Sequence, residues 1–112
     1  MDSQRKKGLL EICVLAVLKR EPSYGYKILS DVSSCIAIPE STLYPILKRL
    51  EGAGCLTTYE QEHNGRKRKY YQITALGRDR IAAFLEEWDE IKTVYYFIEH
   101  DGQPIGREGE AS

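Results

Sequence analysis

A chain of 112 residues, 42% hydrophobic and 29% charged, is long enough for one small globular domain with at most an appendage. Its three cysteines, Cys13, Cys35 and Cys55, form no C-x-x-C pair, and His63 and His100 are the only histidines, a spacing too wide for the ligand pairs of a zinc cage, so the reading favoured is reduced thiols in a cytoplasmic protein. The formal net charge of -1 hides a division: residues 1–80 hold 14 Lys/Arg against 9 Asp/Glu, residues 81–112 hold 2 against 8, and a front of +5 with a back of -6 suggests that the front meets a polyanion.

The opening stretch "RKKGLLEICVLAVL" imitates a secretory signal, but Glu11 interrupts it and Lys19-Arg20 ends it. It is also too short to span a bilayer. From Gly8 to Arg20 the apolar residues fall on nearly every side, the pattern of a central helix packed by several neighbours. Pro22 stops that helix. Ser23 is the expected N-cap of a second, short helix whose stripe is Gly25, Ile28, Leu29 and Val32. Gly25 would let a neighbouring element come close. In "PESTLYPILKRLEGAG", Leu43, Ile46, Leu47 and Leu50 recur at i, i+3, i+4, i+7 and predict a third helix with one buried stripe. Its opposite face carries Ser41, Pro45, Lys48 and Arg49, with Thr42 and Tyr44 on the flanks, and Gly54 is a natural stop. Pro45 near the first turn removes an amide donor where a helix tolerates the loss best.

Two β-prone runs then flank Asn64-Gly65, the pair that a two-residue type I′ hairpin favours because both positions need φ > 0. Arg66, Lys67, Arg68 and Lys69 start at the hairpin tip and descend one strand. Four adjacent cations repel one another, and a surface built only for solubility mixes in carboxylates, so the run implies an anionic partner. Tyr70 and Tyr71 point to opposite faces, one of them into the core. Thr74 caps a long last helix in which Ile81, Phe84, Trp88, Ile91, Tyr95 and Ile98 alternate by three and four, with Leu85 and Val94 widening the stripe. Tyr95, Tyr96 and Phe97 cannot all face one seam. Residues 101–112, with three glycines and a proline, are expected to form a disordered tail.

Three short helices followed by a basic-tipped hairpin is the order of a winged helix-turn-helix. The expected fold is therefore mainly α with a small β-hairpin, residues 1–74 forming the DNA-binding domain and residues 75–100 a dimerisation helix. A helix with an exposed polar face fits the major groove, and a thin basic hairpin suits phosphates or the minor groove.

The segments "PSYGYKI", "STLYPILKRLEGAGCL" and "GRKRKYYQIT", with "LG" shortly after, resemble the PadR-type transcriptional regulators. The resemblance covers roughly residues 8–98, and the single long C-terminal helix is similar to the smaller subgroup, which dimerises through its first and last helices. It implies a homodimeric repressor on double-stranded DNA carrying an inverted repeat, relieved by a small aromatic ligand at the dimer interface. By position, Ser41, Thr42, Tyr44, Lys48 and Arg49 match the reading helix, Tyr24 and Lys27 the helix before it, and Gly65, Arg66, Lys67, Arg68 and Lys69 the wing. Leu9, Ile12, Ile81, Phe84, Trp88, Ile91, Tyr95 and Ile98 are the expected dimer interface. Ile12, Phe84, Trp88 and Lys92 are the expected ligand pocket. Trp88 falls where multidrug-responsive relatives stack planar aromatic ligands, although a tryptophan at an a position is more often a dimer-core residue than a ligand platform. Phe84 and Lys92 make the pore bulkier and less acidic than in such a relative, which disfavours cationic drugs.

An enzyme fits poorly. "GAGCLT" follows a helix and opens a strand, the wrong order for a dinucleotide site, and neither histidine has a Ser or Cys partner for nucleophilic catalysis. No cofactor, metal or membrane is implied. The acidic residues Glu86, Glu87, Asp89 and Glu90 read as the wet face of the last helix. The alternative from another class is a dimeric winged-helix interaction or small-molecule-binding module that uses no DNA.

Overall fold

The apolar run after Gly8 becomes the centre of the unit formed by residues 1–81. In the computed structural model, which describes residues 1–104, it lies within helix α1 (Ser3–Arg20). That helix starts five residues earlier than the apolar pattern does, because the Asp2 side chain accepts the Arg5 N–H at 2.8 Å and caps it. The chain continues through β1 (Ser23–Tyr24), α2 (Gly25–Ser33), α3 (Glu40–Gly52), β2 (Leu56–His63), β3 (Arg66–Ile73) and α4 (Ala75–Glu99). Residues 105–112 of the expected tail lie outside the described residues.

Leu10, Val14, Leu15 and Leu18 of α1, Ile28 and Val32 of α2, and the full α3 stripe of Leu43, Ile46, Leu47 and Leu50 are buried together. Tyr71 and Ile73 of β3 and Ile81 of α4 close the same core. Burying a Leu or Ile side chain is worth about 1.5–3 kcal/mol, so the α3 stripe alone fixes which face that helix shows to solvent.

Ser23 does not cap a helix. It and Tyr24 form a two-residue strand paired antiparallel with β3, Ser23 opposite Tyr71 and Tyr24 opposite Tyr70. The expected hairpin is therefore part of a three-stranded sheet of order β1-β3-β2. Two residues are too short to show a period, so nothing in the sequence marks β1. The helix α2 begins at Gly25 with no side-chain cap.

The stops follow local chemistry. Gly54 takes a left-handed φ of +79°, its N–H bonds the Glu51 carbonyl, and the Cys55 N–H reaches back to Leu50 at 2.9 Å, closing the end of α3. The Thr74 hydroxyl donates to the Gly54 carbonyl at 2.6 Å and accepts the Gly77 N–H at 3.2 Å, tying the start of α4 to the end of α3. A Cβ at Gly77 would sit 2.5 Å from the Cys55 carbonyl oxygen, so only glycine lets the first turn of α4 lie this close to the strand entry. Pro45 stands in the second turn of α3, not the first, and on its exposed face, where water can satisfy the carbonyl that loses its amide partner.

The described chain forms two compact units, residues 1–81 and the stretch from Ala82 onward. The division falls inside α4, beyond the boundary after Thr74 that the sequence suggests, because Gly77 and Ile81 belong to the core of the first unit. Ile81 is 5% exposed within its own chain and so is not a free dimer contact.

Candidate nucleic-acid interface

The Asn64-Gly65 turn has φ values of 52° and 78°, as a type I′ turn requires, and it sets the register of the whole wing. His63 faces Arg66, Glu62 faces Lys67, Gln61 faces Arg68, and Glu60 faces Lys69. The unbroken cationic run is thus split by the pleat. Lys67 and Lys69 share a face with Glu62 and Glu60, so the carboxylates that seem missing from the run stand across the strand. Directly opposed unlike charges of this kind are mildly stabilising. Arg66 and Arg68 share the other face with His63 and Gln61, and no carboxylate offsets them there.

That other face carries an aromatic ladder. Tyr59 and Tyr70 stack with centroids 5.5 Å apart, and Tyr70 meets Tyr24 edge-on at 5.6 Å. The Arg68 guanidinium lies 4.0 Å over the Tyr24 ring, a cation–π contact that holds the arginine extended along the sheet. Tyr71 points the opposite way into the core. Burial pushes its phenol above the ordinary range, and nearby Tyr44 and Glu51 add to the shift.

The exposed side of α3 presents Ser41, Tyr44, Pro45, Lys48 and Arg49, with Thr42 half-buried. Gly25 has a clear purpose here. A Cβ at that position would collide with the Tyr44 hydroxyl, so the glycine lets the Tyr44 ring lie across the start of α2, its hydroxyl against that helix. Tyr24, Gly25, Tyr26, Tyr44 and the stretch Lys67 to Lys69 line a groove of about 330 Å³ that runs from α2 to the wing. Lys27, next along α2, pairs with Asp31 at 3.0 Å in an exposed i,i+4 bridge weak enough to exchange for another anion.

Arg49 is exposed beside Lys48, as the sequence expects, and what the sequence does not show is that its guanidinium turns back to Glu11 of α1, 2.6 Å away. Glu11, read from the sequence only as an interruption of an apolar run, is buried and also meets Arg80 of α4 at 2.6 Å. Burial alone would lower the Arg80 pKa, but hydrogen bonds to Cys55 and Glu11 and the attraction of Glu11 hold it above its ordinary value. The signal available in the sequence was a carboxylate inside an otherwise apolar helix, which is stable only with a cationic partner.

From Ala82 onward α4 has no buried residue. Phe84 and Trp88 are half-buried with rings 5.7 Å apart, and Lys92 is exposed one turn beyond Trp88. Leu85, Ile91, Val94, Tyr95, Phe97 and Ile98 are exposed, Tyr95 by 64% and Ile98 by 69%. Tyr96 leaves this set by stacking on His100 at 3.8 Å. On α1, Leu9 and Ile12 are half-buried, and Ile12 packs against the core. Among the described residues no helix is long and apolar enough to cross a membrane, and no group of His, Cys, Asp and Glu side chains could hold a metal ion.

Four helices with a small three-stranded antiparallel sheet, the long hairpin following a third helix with a polar face, define a winged helix-turn-helix. The pattern of the transcriptional regulator PadR-like family matches residues 14–83, and the chain belongs to that family. It is a transcriptional regulator and not an enzyme. Among solved structures, a protein of Streptococcus mutans UA159 is 42% identical with a TM-score of 0.77, the match covering 88% of this chain and 92% of that one. A PadR family transcription regulator of Clostridium difficile R20291 is 30% identical with a TM-score of 0.75, covering 80% and 96%. The Bacillus subtilis PadR, solved in complex with operator DNA, shares the fold at 24% identity and a TM-score of 0.63, covering 69% of this chain and 46% of that one.

Proposed function

We propose that this regulator is a homodimeric repressor that binds double-stranded DNA through α3 and the β2–β3 wing in the cytoplasm. The observation that carries this reading is the wing itself: Arg66 and Arg68 stand without a carboxylate opposite them, and Lys67, Arg68 and Lys69 line one groove with Tyr44 of α3, a helix that also exposes Ser41 and Lys48. Lys and Arg on such a ribbon neutralise phosphates, while short polar side chains at the start of a groove-bound helix reach base edges. The operator complex of the Bacillus subtilis PadR is consistent with duplex DNA as the partner. Homodimerisation is supported by the run of exposed Leu85, Ile91, Val94, Tyr95 and Ile98 on α4, more apolar surface than a solitary helix keeps in water.

Relief by a small aromatic ligand would use the Phe84–Trp88 ring pair and Lys92, whose ammonium suits an uncharged or anionic ligand better than a cation. Induction then requires the ligand to prefer a spacing of the two reading helices that misfits the operator, because equal affinity for both states shifts nothing.

A two-fold dimer imposes its symmetry on the DNA. Hydroxyl-radical footprinting of the region upstream of the protein's own gene should reveal two protected half-sites related by inversion, with centres about 34–36 Å apart or a multiple of that. A single protected patch, or two in direct repeat, would contradict the dimeric reading.

A further inference from the structure

Glu11 lies in the middle of α1 at 7% exposure, where a carboxylate without partners would be strongly disfavoured. Two guanidiniums from different elements satisfy it, one on each oxygen. Oε2 accepts from Arg49 Nε at 2.8 Å and lies 2.6 Å from its Nη2, while Oε1 accepts from Arg80 Nη2 at 2.6 Å. All three residues belong to the unit formed by residues 1–81. The carboxylate is the buried member of the cluster. The Arg49 and Arg80 side chains keep 40% and 42% of their exposure, so either can swing away without stranding a buried cation.

Arg49 rises from the flank of α3 that also carries Thr42, next to the open face of Ser41 and Lys48. Its stem is long enough to serve either α1 or a phosphate, and the geometry above commits it to α1. Phosphate contacts raise affinity for every sequence alike, whereas base contacts discriminate. A cation withheld from the backbone therefore lowers affinity for every duplex, whatever its sequence.

We infer that Glu11 is a positioning residue that limits sequence-independent DNA affinity: by holding Arg49 against α1, it leaves Lys48 as the cation that α3 offers to the duplex. This inference rests on the DNA-binding reading above. In the same grip Arg80 ties the root of α4 to α1, so one carboxylate fixes the reading helix and the start of the last helix in common.

The test is the salt dependence of DNA binding by the full chain, followed by fluorescence anisotropy on upstream and scrambled duplexes. Each phosphate neutralised adds about 0.9 to the slope of log K against log salt. Glu11→Gln should steepen the slope by about one contact and raise affinity for both duplexes alike, by about tenfold at 0.1 M salt. Glu11→Gln combined with Arg49→Ala should restore the wild-type slope, a reversal that a purely structural role for Glu11 does not produce. Arg49→Ala alone should leave the slope unchanged.

An unaltered slope in folded Glu11→Gln overturns the inference, as does a steepening that survives Arg49→Ala. Where Glu11→Gln fails to fold, Arg49→Ala decides by itself: a slope shallower by one contact means that Arg49 already touches phosphate in the native protein. If the wild type binds neither duplex, the DNA reading has failed and this inference falls with it, a case recognised from the wild type and not from any variant.

Discussion

Replacing Arg66, Lys67, Arg68 and Lys69 together with alanine should lower affinity for upstream DNA by about 10²- to 10⁴-fold at 0.1 M salt, with the dimer intact. The range follows from two to four lost phosphate contacts at about 0.9 decades each. The register of the hairpin refines the expectation. Lys67 and Lys69 face Glu62 and Glu60, whereas Arg66 and Arg68 face His63 and Gln61. The double variant Arg66→Ala/Arg68→Ala should therefore cause most of the loss, and Lys67→Ala/Lys69→Ala the smaller share. Arg68 should contribute most per residue, because its stacking on Tyr24 restricts it before DNA arrives. Anisotropy gives the affinities and sedimentation the oligomeric state. Unchanged DNA binding in the fourfold variant, with the dimer retained, would favour an interaction module that uses no DNA.

The second large effect belongs to α4. Ile91→Glu/Ile98→Glu should convert the protein to a monomer at concentrations where the wild type is dimeric. Each isoleucine buried at an interface is worth about 1.5–3 kcal/mol, and a two-fold dimer loses four such side chains, about 6–12 kcal/mol in all. At about 1.4 kcal/mol per decade, even half of that total weakens the dimer by more than 10²-fold. Both side chains are among the exposed ones, so helicity and the fold of residues 1–81 should survive. Substitution serves better than truncation before Ile81, which would remove a residue of the core. A variant that sediments as a dimer would place the interface elsewhere than on this face of α4.

How much of this could be read from the residues depended on the length scale of each signal. The α3 stripe, the Asn64-Gly65 turn, the Thr74 cap and the Gly54 stop are set by neighbours within a few positions, and each stands where its local chemistry puts it. Strand β1 escaped because two residues cannot display alternation, and Ser23 after a proline has the chemistry of a helix cap as well as of a strand edge. The site divided in the same way. Which face of α3 is open follows from its period, but the fate of Arg49 depends on a carboxylate 38 positions away in the chain. Likewise the run of four cations looked uniform as a string, and only the register of β2 against β3 shows which two have carboxylates opposite. Gly25 was legible as a point of close approach, while its neighbour Tyr44 emerged only with the packing of α3 on α2.

Whether the wing and α3 read duplex DNA is decided by a salt titration of binding to DNA from upstream of the protein's own gene, beside a scrambled duplex of equal length. Tighter binding to the upstream DNA is the expected result. With six to ten phosphates engaged, affinity should fall by about 10³- to 10⁵-fold between 50 and 200 mM salt. Absence of binding to either duplex at low salt would contradict the DNA reading.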